Sequence, residues 1–265
     1  MTISSFLIHS KVTSARKSRA INALRKFTSD IKVIDCFDAQ DLQASWIHNN
    51  HSINMDRWNE QVDVIQAILI DNFNSIRLKR SINNGAGYVS LIKSQNYSES
   101  PRLEWLNYRP LNPGEISVNM KHYYAISSIA MGHGSYGLIA EDDVIENNDF
   151  NTDTFAEMMA SIMSSKIDYV DLAGGCKLFT DSPQSDNKLF QLVSPPRTRT
   201  NAAYIISKRL AKIFANNFLP FVLPIDWHLT YLMHKYLTNS ISCAWMINHP
   251  LIHGSEVGAY KSWRS

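Results

Sequence analysis

The chain is short of cysteine, of charge and of long apolar runs, and each shortage removes a class of protein. Cys36, Cys176 and Cys243 form no CxxC pair. That excludes a disulfide framework and a zinc-thiolate site, and three free thiols in a reducing compartment are expected. Only 19% of residues are charged, and 26 Lys and Arg against 24 Asp and Glu leave a net charge of +2. Such a balance argues against a nucleic-acid partner, whose footprint is far more basic. No uncharged apolar run approaches the roughly 18 residues of a membrane span. At the start, MTISSFLIHSKVTSARK places its few apolar residues before the basic ones, the wrong order and too short a run for a signal peptide. A cytoplasmic protein is expected.

What is present is apolar content, 45% of 265 residues, in alternating patterns. SSFLIHS (4–10) reads as a strand, and TSARKSRAINALRKFTSD (13–30) as a helix capped by Ser or Thr. Its Ala20, Ala23, Leu24 and Phe27 share a face, with Arg16, Arg19 and Arg25 outside. IKVIDCF (31–37) follows as a second strand, completing a β-α-β unit whose ligand crevice lies at the carboxyl ends of the strands. From about 42 to 109 the pattern loosens into an insertion or lid around one amphipathic segment, EQVDVIQAILIDNF (60–73). Pro113 and Glu115 then open a helix with Ile116, Met120, Tyr123, Tyr124 and Ser127 on one side, stopped by Gly132 and Gly134. Helices at 154–165 and 226–237 alternate with strands at 136–140, 168–175 and 241–252, and NAAYIISKRLAKIFANNF (201–218) reads as a strand passing into a helix. The expectation is one α/β domain over 1–265.

The strand YGLIA delivers three adjacent carboxylates, Glu141, Asp142 and Asp143. Acids after a strand often cap a helix or face water. At the carboxyl end of a parallel strand, however, they are also placed to hold Mn2+ or Mg2+ against the phosphates of a nucleotide-diphosphate donor.

LNPGEISVNMKHYYAI followed by GLIAEDDVI resembles family 25 glycosyltransferases, the lipooligosaccharide galactosyltransferase group that also includes collagen-modifying enzymes. FLIHSKVTSARKSRAINAL, VIDCFDAQDL, NAAYIIS and PIDWHL resemble further family segments, in order, over most of the chain outside about 42–100. The usual Cys-x-Ser-His stretch is replaced by VNMKHYYA, which keeps His122 and lacks the Ser before it. The resemblance implies a GT-A-like nucleotide-diphospho-sugar transferase fold, with a mixed, mostly parallel sheet flanked by helices. It further implies inverting transfer of a hexose from a UDP-sugar to a glycan or lipid-linked glycan acceptor. UDP-galactose is the favoured donor, with UDP-glucose or an N-acetylhexosamine donor left open.

On that reading Asp143 is the principal metal ligand, Glu141 serves the ribose or a metal-bound water, and Asp142 stands second, oriented by Lys or Arg. Asp226 is the candidate general base, beside Trp227 as a sugar platform; the alternative is that Asp226 caps its helix. His253 is expected to return over the metal as a ligand, and His122 to hydrogen-bond the acidic loop. Arg197 and Arg199 suit a diphosphate or an anionic acceptor. His9, Ser10 and Arg16 would line the nucleotide pocket, with Asp38 and Ala39 near the base. If exposed, the apolar stretch NNFLPFVLPI (216–225) suits peripheral contact with the inner face of a membrane. Two other classes stay open: a binding module that kept the fold without activity, and a metal-dependent phosphoesterase.

Overall fold

The computed structural model describes residues 3–41, 111–151, 153–175, 189–194, 196–219, 221, 223–237 and 240–260. The expected insertion at 42–109 and Cys176 lie outside the described residues. Strand β1 (Ser4–Ile8), helix α1 (Ser14–Arg25) and strand β2 (Ile31–Ile34) form the anticipated β-α-β unit, with β1 and β2 parallel. Next come α2 (Pro113–Met131), β3 (Tyr136–Glu141), β4 (Val144–Glu146), α3 (Asp153–Ser164) and β5 (Tyr169–Asp171). The chain continues through β6 (Phe190–Leu192), β7 (Ala203–Ser207), α4 (Lys208–Asn217), α5 (Ile225–Leu237), β8 (Cys243–Met246) and β9 (Leu251–His253).

Seven strands make one sheet in the order β2-β1-β3-β7-β5-β8-β6. Five run one way, while β7 and β6 are reversed. The period-two pattern of the strands divides the core into two layers. Phe6, Ile8, Ile139, Tyr204 and Ile206 face a cluster built with α2, α4 and α5. Leu7, Leu138, Ala140, Ala203 and Ile205 face α1 and α3 on the other side. This is the mixed α/β layering, with a mostly parallel sheet flanked by helices, that the sequence led us to expect.

Three local expectations change. Thr13 stands at the N-cap of α1 but makes no side-chain cap bond; its hydroxyl reaches Asp142 instead. Helix α2 begins at a capping box between Asn112 and Glu115, but its expected inner face is displaced. Tyr124 is exposed, while Lys121 and His122 are buried. The helix is enclosed on most sides, so its polar groups turn inward toward partners at the sheet end. Finally, the apolar run at 241–252 is two strands, and β9 leaves the main sheet to pair with β4.

The stretch 216–225 buries Phe218, Phe221, Leu223 and Ile225 in the core, and Leu219 is its exposed apolar residue among those described. Most of it is therefore interior rather than a membrane-facing surface. Among the described residues no helix is long and apolar enough to cross a membrane.

Candidate active site

The carboxyl ends of β1, β2 and β3 converge on two buried acids, Asp142 and Asp38. Asp142 is held by the first segment: His9 Nδ1 lies 2.7 Å from its Oδ2, the Ser10 amide donates at 3.2 Å and Thr13 Oγ1 at 2.5 Å. Arg16 is 3.9 Å from its other oxygen and stacks over the Tyr260 ring at 4.7 Å. Asp38 follows Phe37, which adopts a left-handed φ of 61°. It receives the ammonium of Lys121, which is only 1% exposed, and the Lys11 amide at 3.1 Å. Burial alone would raise the Asp38 pKa, but the hydrogen bonds from Lys121 and Lys11, with the lysine charge, leave it lowered. Lys121 also donates to the His9 carbonyl at 2.5 Å, so one buried ammonium ties both turns together.

Next to this lock is a cavity of about 510 Å3. Ala39 and the start of α2 form one wall; Glu141 and Asp143 come from the end of β3, and Asp226 from the first turn of α5. Thr200, His253, Ser255 and Glu256 complete it. Because α5 begins at Ile225, Asp226 lies inside the helix rather than at its capping position. Its carbonyl accepts from Thr198 Oγ1 at 2.8 Å and Thr230 Oγ1 at 3.0 Å, which fixes the helix start beneath the carboxylate.

The β4–β9 pairing sets Val144 opposite His253 and so brings the chain's last strand against the triplet. His253 Nε2 donates to Asp143 Oδ2 at 2.9 Å, Ser255 Oγ donates to the same atom at 2.6 Å, and the Asp143 carbonyl accepts from Gly254 N at 2.9 Å. Burial would lower the His253 pKa, but the bond to Asp143 and its charge raise it to about 9. Asp143 moves the opposite way: burial raises its pKa, and His253, Ser255 and Arg16 together lower it. The pair is therefore a carboxylate and an imidazolium at neutral pH.

Glu141 is reached by His122 Nε2 at 3.3 Å, and His122 Nδ1 lies 2.9 Å from the Tyr204 hydroxyl. Trp227 is half-buried against the core and does not line the cavity. Arg197 and Arg199 are not brought to the cavity; both are buried over Trp245.

A divalent cation fits this donor set at one atom. Asp143 Oδ1 is buried without a hydrogen-bond partner, while Oδ2 is occupied. His253 reaches that carboxylate through Nε2, and its Nδ1 is buried without a hydrogen-bond partner. Among the described residues no three His, Cys, Asp or Glu side chains cluster as a metal cage. One or two protein carboxylates suffice where phosphate oxygens complete the shell.

Lys121, Thr13, Ser255 and Glu256 were not anticipated. Ser255 had a signal, since residues two apart after a strand share a side with His253. Lys121 had none, because a helical lysine ordinarily reaches water.

No family model matches the chain, and no curated protein matches it. Among solved structures it is similar to TarS 1-349 of S. aureus, with 14% identity and a TM-score of 0.41, over 96% of this chain and 61% of that one. The complex of TarS 1-349 with UDP-GlcNAc gives 14% identity and a TM-score of 0.37 over the same shares. The chain thus spans about three fifths of that protein. Likeness this low leaves function to be argued from the residues of the chain itself.

Proposed function

We propose that the chain is an inverting glycosyltransferase that moves a hexose, galactose from UDP-galactose, onto a cell-surface glycan such as lipooligosaccharide, lipopolysaccharide or a capsule precursor. The observation that carries this reading is the convergence of Glu141, Asp143, Asp226 and His253 on one cavity at the carboxyl end of a mixed α/β sheet. The family 25 resemblance of the segments bearing Glu141, Asp143 and Asp226 supports the choice of donor.

In the proposed reaction the acceptor hydroxyl oxygen bonds to the anomeric carbon as the bond from that carbon to the diphosphate breaks. The electron pair leaves with UDP, and the hydroxyl proton passes to Asp226, a general base of a kind that contributes about 10^2 to 10^4 in rate. Asp143 Oδ1 would hold Mn2+ or Mg2+, which when bound neutralises the leaving diphosphate. His253 and Ser255 fix the other Asp143 oxygen and so aim the free one. Glu141, steadied by His122, would serve the ribose or a metal-bound water.

Thermal unfolding with a panel of UDP-sugars, each with Mn2+, Mg2+ or EDTA, tests the reading, since a ligand that binds only the folded state raises the midpoint. A metal-dependent rise with UDP-galactose is expected. No rise with any donor would refute the donor site.

A further inference from the structure

Arg197 and Arg199 are two buried charges that the proposed reaction does not use. They are 6% and 7% exposed, and their guanidiniums lie 5.2 and 4.8 Å from the centre of the Trp245 ring. Stacking on an indole occupies a guanidinium's face and leaves its N–H donors unsatisfied. Among the described residues the carboxylate hydrogen-bonded to either arginine is Asp171, which accepts from Arg199 Nη2 at 2.5 Å and from the Gly174 amide at 2.8 Å. Nε and Nη1 of Arg197 and Nε of Arg199 are buried with no acceptor. The Trp245 Nε1–H and the Cys243 thiol donate to the Arg197 carbonyl, which does nothing for its side chain.

Two guanidiniums against one carboxylate leave excess positive charge in a dry place, and buried charge is normally paired. The neighbouring imidazole supplies no negative charge to offset it. His249 lies against the turn that holds Asp171, so close that a Cβ on Gly174 would stand 2.9 Å from its ring. Burial, reinforced by the Arg199 charge, lowers the His249 pKa to about 4. Its Nε2 is likewise buried without a partner. Thr200 links this cluster to the cavity: it lines the cavity, and its hydroxyl donates to the Gly174 carbonyl at 2.8 Å.

We propose that Arg197 and Arg199 form a binding site for an oxyanion, a carboxylate or phosphate group whose paired oxygens match the guanidinium fork. The site is separate from the donor diphosphate position. On the glycosyltransferase reading, on which this assignment of the ligand rests, it takes an acidic substituent of the acceptor glycan.

The test is thermal unfolding of the full chain in EDTA without nucleotide, titrated with inorganic phosphate in one arm and glucuronate in the other. In wild type and in Asp143→Asn the midpoint should rise by several degrees with at least one anion, and in Arg197→Met it should not. Phosphate alone marks a phosphorylated ligand, and glucuronate alone marks a sugar acid. Without anion, Arg197→Met should unfold at or above the wild-type temperature, because it removes an uncompensated charge; a merely structural arginine would give a lower one. Arg197→Lys keeps the charge without the fork and should weaken the response several-fold. No rise in wild type, or an undiminished rise in Arg197→Met, overturns the site. Neither arm contains a donor, so failure of the donor panel and failure of this site are read separately.

Discussion

Asp142 and Asp143 are neighbours with the same side chain, both buried, yet they serve different regions. Asp142 belongs to the lock at the ends of β1 and α1, where one oxygen takes three donors from His9, Ser10 and Thr13. Asp143 belongs to the cavity wall, where one oxygen is held by His253 and Ser255 and the other is buried without a hydrogen-bond partner. The lock spends its polar capacity inside the protein, and the wall keeps part of its capacity for a ligand. The opposed repulsion of adjacent acids is thereby resolved in two directions, by an internal network on one side and by a paired imidazolium on the other.

The contrast can be broken by removing each acid in turn. Asp226→Ala, on the wall, should lower the transfer rate by about 10^2 to 10^4 with little change in unfolding temperature. Measured transfer from UDP-galactose within a few-fold of wild type would remove Asp226 as the base. Asp143→Asn should abolish the metal-dependent rise with donor while the protein stays folded, as checked by circular dichroism. Asp142→Ala, in the lock, should behave conversely. Leaving buried donors without their acceptor costs about 3 kcal/mol of stability by urea unfolding, yet molecules folded in the cold should still bind donor. Loss of donor binding with unchanged stability would reverse the two assignments.

A smaller effect sharpens the lock by pH. The Asp38 carboxyl has a lowered pKa in the folded state, below its ordinary 3.8. Its contribution to stability is therefore present above the unfolded pKa and is lost as pH falls through the folded one. Asp38→Asn should flatten this acid limb of a midpoint-against-pH curve; an unchanged limb would mean that the Lys121 pair does not matter to folding. Smallest is thiol reactivity. Cys36 is exposed, whereas burial pushes the Cys243 thiol up to about 12. Peptide-resolved maleimide labelling of the native protein should modify Cys36 and spare Cys243.

Much of the fold was legible because burial follows period: Phe6 and Ile8 against Leu7, and Tyr204 and Ile206 against Ala203 and Ile205, alternate between the two layers. The acids at the end of β3 and Asp226 could be proposed for the same reason, as charges placed where apolar segments stop. What could not be read depended on contacts distant in sequence. Lys121 turns inward because Asp38, 83 residues away, waits there. His253 was expected near the acids, but not the route: the three-residue strands β4 and β9 pair and bring it to Asp143. The arginines of SPPRTRTNAAY were read as partners of a diphosphate or an anionic acceptor, and their packing against Asp171 and Trp245, on strands β5 and β8, was not legible.

The most direct test of the central claim is a crystal structure with UDP and Mn2+, the metal located by its anomalous signal. The account predicts a peak bonded to Asp143 Oδ1, with the diphosphate in the cavity between Asp143 and Asp226 and none of it on Asp142. A nucleotide bound elsewhere, or a metal held by Asp142, would contradict it.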